Sequence, residues 1–455
     1  MEKKEVRAAA SLAAVFSVRM LGLFMIYPVF AAFARHLAGV TPYKIGLALG
    51  IYGLSQGLLQ MPFGLLSDRI GRKVMIVIGL VLFGIGSAVA ARASSIDGII
   101  IGRVLQGAGA VGSVILALIA DLTAEDSRTK AMALVGMTIG FSFLVAIVTG
   151  PIIAGWIGVG GIFWLMAVLA LVGIGITVLI VPSPRRSRVH REAEPVPALL
   201  GATVRNGELL RLDFGIFALH AMLTASFLVV PGLLHGALAL DSHDQWFVYL
   251  PVLLVSVIIM VPTIIAAERF RRMKAMLVAA VGALGASQFM LAAGGHDVYV
   301  LLGALTLFFV GFNVMEASLP SLVTKAAPSG STGTATGVYS SSQFLGIFAG
   351  GVVGGWAHQS YGGAGVFLFT GALAVLWLLA AASMRPPSYL TTRVVPIGTP
   401  APADLERLSA RLRQVEGVAE AVIVPEEGVA YLKVDSKRFD RARAESVAAA
   451  GFEAV

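Results

Sequence analysis

"GLLSDRIGRK" (residues 64–73) packs an aspartate, two arginines and a lysine between two long apolar runs. In a chain that is 57% hydrophobic and only 13% charged, such density in so short a link demands a physical reason. On both sides of it, apolar runs of roughly 20 residues, long enough to cross a ~30 Å hydrocarbon core, recur from Ser11 to near Met384. About twelve are expected, at 11–34, 45–66, 74–91, 97–120, 131–154, 161–181, 213–234, 245–266, 275–293, 297–322, 333–356 and 365–384. The first lacks the short apolar stretch and cleavage site of a removable signal peptide and is read as a retained helix.

Charge placement orients these spans. The links expected in the cytoplasm hold about nineteen Lys or Arg, against about three (Arg35, Lys44, Arg92) on the other side, which puts both termini in the cytoplasm. The net charge of +8 is scattered over short links and not gathered on one face, which argues against nucleic acid as a partner. With no cysteine, disulfides, thiolate metal sites and a cysteine nucleophile are excluded, and no metal is expected. No Gly-rich phosphate loop ending in Lys-Ser/Thr is present, so direct ATP drive is not expected.

The chain also repeats itself. "LTAEDSRTKAMALVGMTIGFSFLVAIVTGPIIAGW", ending at Trp156, aligns without a gap on "LVTKAAPSGSTGTATGVYSSSQFLGIFAGGVVGGW", ending at Trp356, an offset of two hundred residues. At the same offset Asp68, Arg69 and Arg72 fall on Glu268, Arg269 and Arg272, and Asp121 falls on Ser321. Two six-helix halves of like topology follow, the plan of transporters whose substrate site lies between parallel repeats. The expected domains are 1–181 and 213–386 for the halves, 182–212 for a Pro- and Arg-rich cytoplasmic linker, and 388–455 for a soluble tail.

"GLLSDRIGRKVMI" closely resembles the loop motif between helices two and three of the major facilitator superfamily. "RVLQGAGAV" (103–111) resembles its helix-four motif. "GPIIAG", with Gly150, Pro151 and Gly155, resembles the helix-five motif of its antiporter branch, although Ala154 stands where that pattern has a glycine. With the tail, the resemblance is closest to the YajR subfamily of proton-driven, drug-efflux-like transporters. It implies a multi-pass protein of the inner membrane, not an enzyme, that moves a small molecule by alternating access and draws on a proton gradient in place of a cofactor.

A hairpin in a rocking half must pack on the other half in one state and release it in the other. By the resemblance, the Asp68 carboxylate faces the positive N-terminus of a second-half helix near Gly333, and Arg72 bridges Asp68 to Asp121. Gly64 and Gly71 permit close approach and a tight turn, while Arg69 belongs to the latch or anchors the loop on its side of the membrane.

Charges inside apolar runs are costly and mark function by default. Arg19 either snorkels or faces a partner, and the helix-four motif implies a cavity-facing role for Arg103. Glu316, a carboxylate well inside an apolar run, is the leading proton-carrier candidate, against the alternative of a structural pair with a basic neighbour. His220 is either a hydrogen-bonded helix residue or a second relay group. Tyr27, Tyr52, Gln56, Gln60, Asn313, Tyr339 and Gln343 line the substrate cavity or join helices by hydrogen bonds. The mainly apolar lining suits a lipophilic or weakly polar substrate.

The tail reads as a ferredoxin-like βαββαβ module, with its last strand at 452–455. It resembles heavy-metal-associated domains but lacks cysteines in the loop 397–402, so it is expected to bind an unidentified cytoplasmic ligand or partner without a soft metal. The expected fold is an all-α membrane protein of twelve helices with a small α+β tail. The expected function is proton-coupled efflux. A proton-coupled nutrient or metabolite importer, and a membrane sensor signalling through the tail, remain open alternatives.

Overall fold

The computed structural model describes residues 3–123, 125–183, 196–328, 330–386, 390–397, 405–425, 428–435 and 438–450. The first half comprises α1 (Lys3–Phe24), α2 (Tyr27–Ala34), α3 (Pro42–Ile70), α4 (Arg72–Arg92), α5 (Ile96–Ala108), α6 (Gly112–Leu122) and α7 (Glu125–Gly175). A short helix, α8 (Pro197–Thr203), follows. The second half comprises α9 (Gly207–Ser226), α10 (Val230–Leu238), α11 (Trp246–Arg269), α12 (Met273–Gly294), α13 (Val298–Ala326) and α14 (Thr332–Ser383).

Among the described residues, nine helical runs are long and apolar enough to cross a membrane. Two of them are broken at Gly158 and Gly362, each at φ 68°, where glycine takes a positive φ without strain and one helix gives way to the next. Each of these two therefore holds two spans. The twelfth span is α3, whose apolar character is diluted by Ser55, Gln56 and Gln60.

Capping side chains fix several starts. Thr41 accepts from Lys44 N at 3.2 Å and Asp297 from Tyr299 N at 2.9 Å, satisfying donors that a helix N-terminus leaves free. Asn206 accepts from Glu208 N and Leu209 N, so α9 begins at Gly207 and not at the expected 213. Asp213 thus lies well inside the helix.

The repeat is visible in the packing. A Cβ on Gly150 would overlap Met25 O, and one on its repeat mate Gly350 would overlap Ala221 O, so each glycine lets a helix press onto the first helix of its own half. The halves meet along α3 and α14. A Cβ on Gly46 would overlap Gly351 O, one on Gly53 would overlap Phe344 O, and one on Gly50 would lie 2.8 Å from Phe348 O. These backbones touch at the end of the bundle remote from the 64–73 link, where Tyr43 N also donates to Gln359 Oε1 at 3.3 Å.

The tail holds β1 (Thr391–Pro396), α15 (Leu405–Arg413), β2 (Val418–Val424), β3 (Val429–Val434) and α16 (Arg441–Ala450), with strand order β1-β3-β2, all antiparallel. The alternation of β3 sends Leu432 and Val434 to the helix-covered face with Leu408, Leu412 and Ala444. Tyr431 points to the other face with Val422 and Val424. That second face lies against the α13–α14 connection: Tyr431 and Val422 approach Gly330, and Lys433 Nζ donates to Thr324 O at 2.9 Å and Lys325 O at 3.2 Å. A lysine on the last carbonyls of a helix suits its negative end. The expected last strand, the loop 398–402 and linker residues 184–195 lie outside the described residues.

Candidate functional site

The charged link forms a compact cluster. Gly71 (φ 99°) separates α3 from α4 and throws Arg72 back under α3. Arg72 meets Asp68 Oδ1 at 2.5 Å, Ser67 Oγ at 2.6 Å and, through Nε, Asp121 Oδ2 at 3.3 Å. Gly64 sits against Ser113 of α6, where a Cβ would lie 3.2 Å from the Ser113 hydroxyl. Asp68 and Arg69 are exposed. At 29 residues, α3 outlasts a ~30 Å core, which leaves Asp68 in the headgroup zone. Partial burial pushes its carboxyl above the usual carboxylate range, while Arg72 pulls the other way. The second half inverts this polarity: Glu268 at the end of α11 pairs with Lys325 on α13 at 3.3 Å.

Inside the membrane the two halves carry opposite chemistry. In the first, Arg19 is 1% exposed and turns inward, donating to Tyr52 Oη at 2.9 Å and Gln56 Oε1 at 2.6 Å, which rules out snorkelling in this state. Arg103 stacks over the Tyr52 ring at 4.8 Å and donates to Gln106 Oε1 at 2.9 Å and Ala48 O at 3.3 Å. One tyrosine is therefore held by two buried cations. Arg19 Nε and Arg103 Nη2 have no hydrogen-bond partner among the described residues.

The second half gathers acids. His220 Nε2 lies 3.8 Å from Glu316 Oε2 and 2.8 Å from Gln343 Nε2, while Nδ1 is 3.3 Å from Ile216 O. Glu316 keeps 24% of its side chain exposed, while Oε2 itself is buried without a hydrogen bond. Its neighbour is thus His220, and no ion pair with lysine or arginine is seen for it among the described residues. Tyr339 is buried with a partnerless hydroxyl.

Tyr27, Tyr52, Gln56, Gln60, Asn313 and Tyr339 are each at most 9% exposed. Four of them spend their polar atoms on other helices: Tyr27 on Thr224 (3.1 Å), Tyr52 and Gln56 on Arg19, and Asn313 on Ser256 (2.6 Å). In this state they join helices and do not present open lining, because polar groups away from water pair with one another. Gln56 also donates to Gln60 at 3.3 Å. Of the helix-five motif, Gly150 faces Met25, Pro151 lies within α7, and Gly155 abuts His243 from the other half.

Two features escape sequence reasoning. One is an aromatic cluster between the halves, in which Phe143 contacts Phe24 (5.0 Å), Phe312 (5.1 Å) and Phe309 (6.5 Å), and Phe227 contacts Tyr27 (5.7 Å). The other is Asp213, 5% exposed, with neither carboxylate oxygen hydrogen-bonded. The signal for it was the Asn206 cap, which makes it an interior residue. Among the described residues, no group of three His, Asp or Glu side chains is placed to hold a metal.

Comparison with known proteins agrees with this architecture. The Major Facilitator Superfamily model matches residues 12–351 and the YajR YAM domain model matches residues 397–449. The inner membrane transport protein YajR of Escherichia coli is 44% identical over 97% of each chain. The quinolone resistance protein NorA of Staphylococcus aureus is 26% identical over 45% of this chain and 50% of its own. A mutant form of the nucleoside transporter NupG shares the fold, with a TM-score of 0.65 over 83% of this chain and 99% of that one at 13% identity. A twelve-span bundle of two repeated halves, a charged link and a matching tail together identify a membrane transporter: the chain belongs to the major facilitator superfamily and ends in a YajR-type YAM domain.

Proposed function

We propose that this transporter exports a small, lipophilic compound across the inner membrane in exchange for protons. The observation that carries the reading is Glu316, a partly exposed carboxyl beside His220 that no lysine or arginine among the described residues neutralises. Such a group holds a proton in one state and releases it in another as its surroundings change. The buried cations Arg19 and Arg103 sit in the opposite half, so charge at Glu316 biases how the halves attract.

With the basic links and tail in the cytoplasm, the state described is the one open to that side. The halves close at the far end through α3, α14 and the aromatic cluster, while Asp68 is held by Arg72. In the opposite state, Asp68 moves to the N-terminus of α14 near Gly333, and the link latches the cytoplasmic side. The apolar, aromatic interior suits a lipophilic substrate, and the relative named a quinolone resistance protein supports the class. The tail acts as a cytoplasmic module carried on the second half.

The test uses inside-out vesicles with ethidium and a fluoroquinolone as probes. An acidic lumen should drive accumulation of at least one probe, collapsing with a protonophore. Probe uptake driven only by acid on the cytoplasmic face would favour the importer. No flux of either probe, together with a tail that responds to added ligand, would favour the sensor.

A further inference from the structure

Asp213 is a buried acid in α9 with both oxygens unpartnered, and no described neighbour explains it. It lies seven residues before His220, about two helical turns, so both side chains occupy one face of α9, with Asp213 about 10 Å nearer the tail end of the bundle.

The register of α9 on α14 locates its surroundings. Gly346 packs on Phe217, Gly350 on Ala221 and Gly354 on Ala225, a constant step of four, and one further step sets Asp213 level with Ser342. Around that level, Tyr339 Oη and Ser341 Oγ on α14 and Ser318 Oγ on α13 also lack hydrogen-bond partners. Tyr339 lies one turn before Gln343, the partner of His220, on the same helix.

The described charged and titratable groups of the packed elements supply no cation. On α9, Glu208 and Arg211 pair with each other at 2.9 Å, and His220 is bound to Gln343. On α13 the intramembrane group is Glu316, with Lys325 at the end of the helix engaged by Glu268. On α14 it is Tyr339, with His358 remote at the far end. On α3, Asp68 and Arg69 lie at the loop, Asp68 on Arg72, and Lys44 pairs with Asp97 at the far end. A carboxylate buried from bulk solvent without a protein donor persists only if it takes up a proton or meets a cation at some stage of the cycle.

We propose that Asp213 is a second proton-binding group, which receives protons from the tail end of the bundle and passes them on toward Glu316. This rests on Glu316 as the coupling carboxyl. In the transfer neutral Asp213 loses a proton and ionised Glu316 gains one, so Asp213 is left ionised and Glu316 neutral with the total charge unchanged. In the reverse direction each proton retraces the path.

Infrared pH-difference spectroscopy of the full chain in lipid nanodiscs tests this without a substrate. The wild type should show two titrating bands of protonated carboxyl groups. Asp213→Asn should remove one and keep the other, Glu316→Gln should remove the other, and Asp213→Glu should restore a displaced band. An Asp213→Asn spectrum that superimposes on the wild type, with the fold verified by an unchanged melting temperature, would overturn the proposal. Loss of the band in Asp213→Asn alone, with Glu316→Gln unchanged, would instead remove Glu316 as the coupling group and leave Asp213 standing.

Discussion

Tyr27 and Phe227, repeat mates two hundred positions apart, meet edge to face across the two halves at 5.7 Å. Each lies where the first helix of its half is interrupted: Tyr27 opens α2 after the break that follows α1, and Phe227 lies between α9 and α10. The pair therefore joins the two positions at which each half bends. The same interruption gives Tyr27 a hydrogen bond to Thr224 at 3.1 Å, so the contact is both apolar and polar.

Closure at the far end depends on bare backbone. Gly46→Val should prevent α3 from reaching Gly351 and shift the population away from the state described. A disulfide between Tyr43→Cys and Gln359→Cys reads this directly, because the chain has no cysteine of its own. It should form in the parent and fail in Gly46→Val; equal yields would show that the close approach is dispensable.

The charged link should separate transport from folding. Asp68→Asn should abolish ethidium transport in reconstituted vesicles while expression stays normal, since Asp68 is exposed and its loss strands little. Arg72→Ala, by contrast, removes a buried guanidinium that joins Asp68, Ser67 and Asp121, at a cost of about 3 kcal/mol. Its melting temperature should fall by several degrees. Unaltered kinetics in Asp68→Asn would dispose of the latch.

Lys433 should control how firmly the tail is held. Replacing it with alanine removes both bonds to the end of α13 but leaves the tail's own core intact. Spin labels at Ile70→Cys and Arg407→Cys should then show a broader distance distribution than in the parent. An identical distribution would mean that Tyr431 and the linker suffice to hold the tail.

Much of this was legible before any coordinates. Apolar length, loop charge and a two-hundred-residue offset are one-dimensional signals, and they sufficed for twelve spans and two halves, whereas the Arg72 cluster came from the resemblance of the 64–73 link to a family motif. The interior was less legible, because intramembrane polar groups choose partners across helices. Arg19 reads as a snorkelling candidate until Tyr52 and Gln56 are brought beside it from α3. Asn313 reads equally as cavity lining or as a link between helices until its amide is seen to donate to Ser256. Asp213 was hidden by a helix boundary set six residues late, since Asn206 begins α9 ahead of its apolar run. The docked tail face could not be read at all, because Tyr431 and Lys433 fit an ordinary strand alternation equally well.

The central claim is that Glu316 couples protons to transport, and Glu316→Gln tests it most directly, since it keeps the shape and fixes a neutral side chain. The measurement compares two modes of ethidium movement in the same proteoliposomes: exchange without a gradient, and accumulation driven by an imposed pH gradient. Glu316→Gln should retain exchange and lose gradient-driven accumulation. If the variant instead accumulates ethidium at the wild-type rate and level, the coupling carboxyl lies elsewhere and the assignment of α13 as the coupling helix fails.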